Sequence, residues 1–169
     1  MKMELEIKQL NQKIQPLGMG CWAIGGTWGP EGLPLGWSTV DDQDSIKALR
    51  HAYDRGITLF DTAATYGYGH SEEVVGEALQ DVRSKVLIAT KFGCPCDDVK
   101  REGRGESVER DSIIKECHDS LRRLRTDYID IYQLHIQAVG IDQIDDVRAL
   151  EFGPLTKSQM EEVIAIVKE

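Results

Sequence analysis

The sequence predicts an α/β fold built on a parallel sheet, because strand-like and helix-like segments alternate along the chain. Short apolar segments, rich in β-branched residues or interrupted by glycine, lie at residues 16–26, 57–60, 86–90 and 128–134. The segments between them carry apolar side chains at the three- and four-residue spacing of amphipathic helices. Four strands separated by helices are typical of βαβ units, in which successive parallel strands lie side by side.

The first predicted helix covers residues 41–55. Ile46, Leu49 and Tyr53 fall on one face of it. Gly56 follows directly, and glycine is common just after the last turn of a helix because it adopts the left-handed backbone conformation at little cost. The helix is therefore predicted to end there.

The second and third helices carry different signals. The second is predicted to begin at Ser71, whose hydroxyl would cap it, with Glu72 and Glu73 in the first turn, where they complement the helix dipole. The third is predicted over residues 110–125, with an apolar face made of Ile113, Cys117, Leu121 and Leu124.

Both ends of the chain are predicted to be structured. Residues 3–9 alternate apolar and polar side chains and could pair with residues 13–17 as an N-terminal hairpin. Near the other end, Thr156 and Gln159 form a capping box, and residues 141–150 also look helical. The apolar stripe of the C-terminal helix is predicted to be Met160, Val163, Ile164 and Val167.

Composition limits the classes of function. With 169 residues, 41% of them hydrophobic, the chain can bury one ordinary core without disulfides or a metal. A net charge of −9 with no basic block argues against nucleic-acid and anionic-membrane partners. No apolar run approaches the roughly 18 residues that cross a bilayer, and the first residues lack a signal-peptide core, so a cytoplasmic protein is predicted.

The four cysteines are too few and too irregularly spaced for a disulfide scaffold, and they are predicted to be free thiols. Cys94 and Cys96, separated by one proline, leave a metal or redox site open as an alternative. No second cysteine or histidine pair with ligand spacing accompanies them, so no metal site is predicted.

Ionisable side chains follow three of the predicted strands. Asp61 and Tyr66 come after the strand ending at residue 60, Lys91 follows the strand ending at residue 90, and His135 follows the strand ending at residue 134. Because the carboxyl ends of parallel strands share one edge of the sheet, where such folds place their sites, the four side chains are predicted to converge.

These residue types suit acid catalysis at a carbonyl group. A neighbouring ammonium stabilises the phenolate of a tyrosine, so Lys91 would help Tyr66 to release its proton, while Asp61 would hold Lys91. His135 could hydrogen-bond a substrate carbonyl oxygen. Taken singly, each residue also has an ordinary structural role, as a packing tyrosine, a surface lysine, a cap or a satisfied histidine. His70, a competing histidine, is predicted to be a loop or cap residue.

Two glycine-bearing segments, residues 27–36 and 100–105, are predicted to be loops. The first is long enough to indicate a functional loop. With Trp22, Trp28 and Trp37 nearby, it could form an apolar wall for a substrate; the alternative is a surface loop with one buried tryptophan.

Five segments of the sequence resemble the aldo-keto reductases, in particular the bacterial stress-protein-like branch. The segments are Leu17-Gly-Met-Gly-Cys-Trp22, residues 56–67 (GITLFDTAATYG), residues 71–79 (SEEVVGEAL), residues 89–93 (ATKFG) and residues 120–135 (SLRRLRTDYIDIYQLH). The resemblance implies that Asp61, Tyr66, Lys91 and His135 are the catalytic tetrad of this family, with the tyrosine as acid. It also implies reduction of small aldehydes and ketones by NADPH, or occasionally NADH, with Cys21, Trp22 and Asp61 at the cofactor.

The resemblance further implies an incomplete TIM-barrel-derived (β/α) fold. A complete barrel of this kind needs about 250 residues, and the family's strands five to seven have no counterpart in this sequence. The chain is predicted to be a single domain over residues 1–169. In it, residues 1–137 form the N-terminal half of a barrel with about four parallel strands, and residues 138–169 are a remnant of the closing strand and helices.

An open sheet of this kind leaves strand edges and barrel-core side chains uncovered. We therefore expect a homodimer or a higher homo-oligomer. Two functions remain open at this stage: a reductase with the tetrad intact, or a non-catalytic half-barrel relative with a structural or interaction role, because hydride transfer requires a positioned nicotinamide.

Overall fold

The computed structural model describes residues 5–7, 12–29, 35–100, 102–103, 105, 107–136 and 157–167. The strands in these residues are β1 (Leu5–Ile7), β2 (Gln12–Ile14), β3 (Met19–Gly20), β4 (Thr27–Trp28), β5 (Leu35–Gly36), β6 (Leu59–Asp61), β7 (Leu87–Phe92), β8 (Cys96–Asp97), β9 (Glu102–Gly103) and β10 (Ile131–Leu134). The α-helices are α1 (Asp42–Asp54), α2 (His70–Leu79), α3 (Arg110–Arg123) and α4 (Lys157–Val167). Short 3₁₀ turns cover Ala23–Gly25 and Gln80–Lys85.

Four of these strands form one parallel sheet in the order β10-β7-β6-β3. Asp61 of β6 lies between Gly20 of β3 and Ala89 of β7, and Lys91 of β7 lies beside Gln133 of β10. The predicted parallel sheet of about four strands is confirmed. Within the described residues the sheet does not close into a barrel, and neither β3 nor β10 has a second neighbouring strand.

Three small antiparallel hairpins accompany the sheet. The predicted N-terminal hairpin is present as β1 and β2. The first of the two segments predicted to be loops instead contains a hairpin, β4 with β5, and the second contains β9, which pairs with β8 outside that segment. Each of these strands has only two residues, too short a segment to show the alternation that identifies a strand in sequence.

The main core lies between the sheet and the helices α1 and α2. α2 contacts both α1 and α3, so it is the central helix of this layer. The buried apolar side chains of the core come from β6 and β7, from α1 and α2, and from residues just after β3, before β7 and after α3: Cys21, Ile24, Leu49, Phe60, Val74, Val75, Ala78, Leu79, Val86, Ile88 and Leu124.

A second, smaller core holds the C-terminal helix. Val163 and Ile166 of α4 pack with Phe92 at the end of β7 and with Ile113 of α3. The predicted helix is therefore present and docked. Ile164, predicted to be part of its apolar stripe, is 46% exposed, so that part of the prediction is wrong.

Other predictions for the C-terminal region lie outside the described residues. These are the capping box at Thr156, the helix at residues 141–150, and the closing-strand remnant before residue 157. Among the described residues, no helix is long and apolar enough to cross a membrane.

The predicted cap of α2 is wrong. Gly69, with a φ of 92°, is the N-cap, and its helix starts one residue before Ser71. Ser71 is fully buried, and its hydroxyl forms hydrogen bonds with residues far away in sequence instead of with the helix's own N–H groups. A tertiary contact has replaced the local one that the sequence suggested.

The buried face of α3 is more polar than predicted. Ile113 and Leu124 are buried as expected, but Glu116, Ser120 and Arg123 are also buried. Arg123 pairs with Glu72 of α2, its Nε atom 2.6 Å from Glu72 Oε2. Because buried polar groups are tolerated when partners satisfy them, apolar periodicity alone could not identify this face.

Candidate active site

The ends of β6 and β7 bring three of the predicted catalytic side chains into contact. Lys91 Nζ lies 2.7 Å from Asp61 Oδ1, 2.6 Å from the Thr62 carbonyl oxygen and 3.2 Å from the Tyr66 hydroxyl. The same ammonium lies 4.8 Å from the centre of the Tyr66 ring. Asp61, Tyr66 and Lys91 thus form one hydrogen-bonded group at the carboxyl edge of the sheet, centred on the lysine.

His135 completes this group from the neighbouring strand. Its ring packs edge-on against the Tyr66 ring, with 6.1 Å between the centroids, and its backbone N–H donates to the Phe92 carbonyl at 2.7 Å. Nδ1 is buried and has no hydrogen-bond partner among the described residues. Burial lowers the pKa of His135, the positive charge of Lys91 lowers it further, and Asp61 partly opposes both. The imidazole is therefore neutral at pH 7 and offers one N–H donor.

The Tyr66 loop is held by a close approach of two backbones. A Cβ atom on Gly67 would lie 2.0 Å from the Gly25 carbonyl oxygen, and one on Gly25 would lie 2.6 Å from the Tyr66 carbonyl carbon. Gly67 also has a φ of 65°, which disfavours other residues. The turn after β3 therefore packs directly on the backbone that carries the tyrosine, and a side chain at either glycine would move it.

Besides Asp61, two residues are expected to contact a cofactor, and they differ in exposure: Cys21 is buried and Trp22 is exposed. Cys21 is fully buried in the main core, and burial raises the pKa of its thiol to about 12, with Asp61 adding to the effect. Its thiol is therefore unavailable to a ligand at the sheet edge. Trp22 is 44% exposed and packs edge-on against Trp37, which is 59% exposed. The aromatic surface of this region thus belongs to Trp22 and Trp37.

Trp28 does not share that exposed surface. It is half-buried and packs edge-on against Tyr68, with the ring centroids 5.8 Å apart.

His70 is the first residue of α2, and its Nε2 atom lies 2.9 Å from Asp42 Oδ1. It belongs to a contact between α1 and α2 and not to the tetrad.

All four cysteines are free thiols. Cys94 Sγ lies 2.8 Å from the His135 carbonyl oxygen, and Cys96 Sγ lies 3.1 Å from the Ala64 carbonyl oxygen. In the part of the chain that the structure describes, no cluster of histidine, cysteine or acidic residues could hold a metal ion.

Three residues that sequence reasoning did not assign to the site support it. Thr62 supplies the carbonyl that accepts from Lys91. Glu72 accepts a hydrogen bond from Thr90, the residue before Lys91, at 2.5 Å. Glu116 accepts from the backbone N–H of Gly93, two residues after Lys91. No local pattern marks a carbonyl acceptor, whereas acidic residues inside an otherwise buried helix face are a weak signal for such contacts.

Glu116 should make stability depend on pH. Burial raises the pKa of its carboxyl to about 7, although the N–H of Gly93 and the Ser112 hydroxyl oppose the shift. Between the usual value of 4.5 and about 7, the folded state binds a proton at Glu116 that the unfolded state does not. The stabilisation from this group is therefore complete at pH values below the pKa of the unfolded state. It is lost as the pH rises through 7, and the loss amounts to about 3 kcal/mol.

Urea denaturation of wild type and Glu116→Gln at several pH values from 4 to 8 measures this dependence. We expect the free energy of unfolding of the wild type to fall, relative to that of Glu116→Gln, as the pH rises. Parallel curves across the whole range would show that Glu116 does not titrate there.

Comparison with known proteins identifies the family. Residues 16–169 match the model of the aldo/keto reductase family. The chain is 44% identical over 121 residues to aldo-keto reductase YhdN of Bacillus subtilis, covering 70% of this chain and 33% of that protein. It is 38% identical over 135 residues to the NADH-specific methylglyoxal reductase of Escherichia coli, covering 75% of this chain and 39% of that protein.

Solved structures give the same result. The holo form of aldo-keto reductase AKR11C1 from Bacillus halodurans matches with a TM-score of 0.71 and 26% identity, over 99% of this chain and 46% of that chain. An aldo-keto reductase from Klebsiella pneumoniae in complex with NADPH matches with a TM-score of 0.60 and 25% identity, over 98% of this chain and 46% of that chain.

The chain spans between a third and a half of the length of these relatives. Its open parallel sheet with covering helices corresponds to part of their TIM barrel. The prediction of an incomplete barrel is therefore confirmed. The match covers most of the chain and includes the segments that hold all four tetrad positions, so the chain is a partial member of the aldo/keto reductase family of oxidoreductases.

Proposed function

We propose that the chain reduces small aldehydes and ketones with NADPH and that Tyr66 is the general acid. The observation that carries this proposal is the arrangement of Lys91, whose ammonium is bonded at once to Asp61, to the Thr62 carbonyl and to the Tyr66 hydroxyl. An ammonium that donates to a phenol oxygen stabilises the phenolate left after proton release. The comparisons do not favour the alternative of a non-catalytic relative.

The residues of the site suit a proton donor that works beside a hydride donor. The tyrosine hydroxyl oxygen accepts from Lys91, so its own hydrogen is free to be given to a substrate oxygen. The neutral imidazole of His135 can donate a hydrogen bond to the same oxygen and orient it. The Cys21 thiol, in the segment after β3, is buried and protonated. The donor set therefore fits carbonyl reduction and not covalent attack on a carbonyl carbon.

NADPH, when bound, supplies the hydride that adds to the carbonyl carbon. Tyr66 would give its proton to the carbonyl oxygen, and the phenolate that remains would be stabilised by the ammonium of Lys91 until it takes a proton from water. Asp61 and Trp22 would hold the cofactor, whereas Cys21 is fully buried and its backbone N–H and carbonyl are bonded to Asp61 and Ser71. Relatives support this cofactor, since one structure from Klebsiella pneumoniae holds NADPH and another holds NADP with acetate.

Titration of NADPH against the purified chain tests the proposal. We expect a saturable change in the emission of Trp22 and Trp37 or of the cofactor, reversed by NADP⁺, because both indoles are exposed and Trp22 is one of the residues proposed to hold the cofactor. Titration of Trp22→Ala provides the comparison for the tryptophan signal. If emission changes only linearly with NADPH, the chain does not bind the cofactor and the proposed function fails.

We further propose that the protein acts in the cytoplasm as a homo-oligomer, most simply a homodimer. The four free thiols support a reducing compartment. The edges at β3 and β10, which pair with no further strand in the described residues, support association with a second copy. Light scattering should give twice the mass of 19.0 kDa, and a stable monomer at micromolar concentration would exclude the dimer.

A further inference from the structure

Ser71 connects three segments that meet at the site. It is fully buried. Its hydroxyl accepts a hydrogen bond from the Thr62 hydroxyl at 2.9 Å and donates to the Cys21 carbonyl at 2.8 Å. Its backbone N–H donates to the Tyr66 carbonyl at 3.1 Å. One residue at the start of α2 thus holds the end of β3, the end of β6 and the loop that carries the tyrosine.

These contacts close a ring with the catalytic group. The Thr62 carbonyl accepts from Lys91 Nζ at 2.6 Å, and Lys91 Nζ donates to the Tyr66 hydroxyl at 3.2 Å. The backbone of Tyr66 is in turn held by Ser71. Thr62 is fully buried, and its N–H donates to the Ala89 carbonyl of β7 at 2.9 Å. The carbonyl of Thr62 therefore has a fixed direction only while its hydroxyl and its N–H both keep their partners.

A capping role does not explain Ser71. The N-cap of α2 is Gly69, and the hydroxyl of Ser71 bonds to atoms 9 and 50 residues away in sequence. All its bonds lead to the carboxyl edge of the sheet. Ser71 therefore does not cap the helix, and its hydrogen bonds instead hold the segments that form the site.

We infer that Ser71 is a positioning residue, which fixes the distance between Lys91 and Tyr66 by holding the Thr62 carbonyl and the Tyr66 backbone. The inference rests on the proposed function for its consequence in catalysis. The restraint of Lys91 itself can be measured without turnover and without a bound cofactor.

Acetylation of lysine side chains by acetic anhydride measures that restraint directly. The reagent reacts only with an amine whose nitrogen lone pair is free, so Lys91 must leave its three acceptors before it reacts. We expect Ser71→Ala to raise the acetylation rate of Lys91 about fivefold, the effect of losing one buried hydrogen bond. Mass spectrometry of peptides gives the rate, with exposed Lys47 of the same sample as the reference.

Ser120→Ala is the matched control. Ser120 is also a fully buried serine that accepts a hydrogen bond, from Arg123 at 3.4 Å, but it lies on α3. Both variants lose a buried hydroxyl, and only Ser71→Ala should speed acetylation of Lys91. If Lys91 is acetylated at the same rate in the two variants, Ser71 does not restrain Lys91 and the inference is overturned.

Thr62→Val tests the same bond from its other end, and it serves if Ser71→Ala does not fold. The two side chains have nearly the same shape, so valine removes the hydroxyl that donates to Ser71 with little change in packing. We expect the same faster acetylation of Lys91, and an unchanged rate would contradict the inference.

The experiments distinguish failure of the proposed function from failure of this inference. If NADPH does not bind but Lys91 is acetylated faster in Ser71→Ala, the positioning role stands and the reductase proposal fails. If the wild type reduces a carbonyl substrate, Ser71→Ala should lower kcat about fivefold with KM unchanged, because the change affects proton release and not binding. A rise in KM alone would contradict the positioning role.

Discussion

Tyr66→Phe should lower the rate of carbonyl reduction by about 10²- to 10⁴-fold, the usual contribution of a positioned general acid. The substitution removes only the hydroxyl, which lies 3.2 Å from Lys91 Nζ. The ring itself, which packs against His135, stays in place. NADPH affinity should therefore be nearly unchanged, and steady-state kinetics with a fluorescence titration will measure both quantities.

Tyr128→Phe is the control for this experiment. Tyr128 also loses only a hydroxyl, which lies 3.3 Å from the Arg83 carbonyl before β7 begins, away from the carboxyl edge of the sheet. Its turnover should equal that of the wild type. Retained turnover in Tyr66→Phe would show that another group supplies the proton.

Glu72→Gln should lower the free energy of unfolding by about 3–5 kcal/mol, the range found when one partner of a buried ion pair is removed. Glu72 is 0% exposed at its side chain and Arg123 is 1% exposed. An amide in place of the carboxylate leaves the guanidinium buried without its closest counter-charge, since among the described residues only Asp98 remains, at 3.3 Å. Urea denaturation monitored by circular dichroism will measure the loss.

Glu77→Gln, five residues nearer the end of the same helix, provides the comparison. Glu77 pairs with Arg125 at 3.1 Å, but both side chains are about half exposed. Water screens such a pair, so the unfolding free energy should change by no more than about 1 kcal/mol. Equal losses of unfolding free energy in the two variants would mean that burial does not increase the contribution of the Glu72–Arg123 pair to stability.

The convergence of the four candidate catalytic side chains could be predicted because it follows from chain order and sheet geometry. Asp61, Lys91 and His135 each stand at the end of a strand, and parallel strands bring those ends to one edge. The helices α1 and α3 were predictable to within two residues because their apolar spacing and end signals are local. These are properties that a short stretch of sequence contains.

The supporting contacts could not be predicted because their partners are distant in sequence. Ser71 looks like a helix cap until Thr62 and Cys21 are known to lie beside it. Glu72 looks like a first-turn acid that favours the helix dipole, and its burial depends on Arg123, 51 residues away. Local pattern assigns such side chains to solvent or to caps, whereas tertiary packing assigns them to the interior.

The position of Lys91 has a chemical consequence for selectivity between reactions. An ammonium whose three N–H bonds meet three acceptors has no free electron pair on nitrogen. An unrestrained lysine amine beside an aldehyde condenses with it to an imine and loses water. If the proposed function holds, Asp61, Thr62 and Tyr66 together would protect the lysine from aldehyde substrates and would confine its part in the chemistry to the proton of the tyrosine.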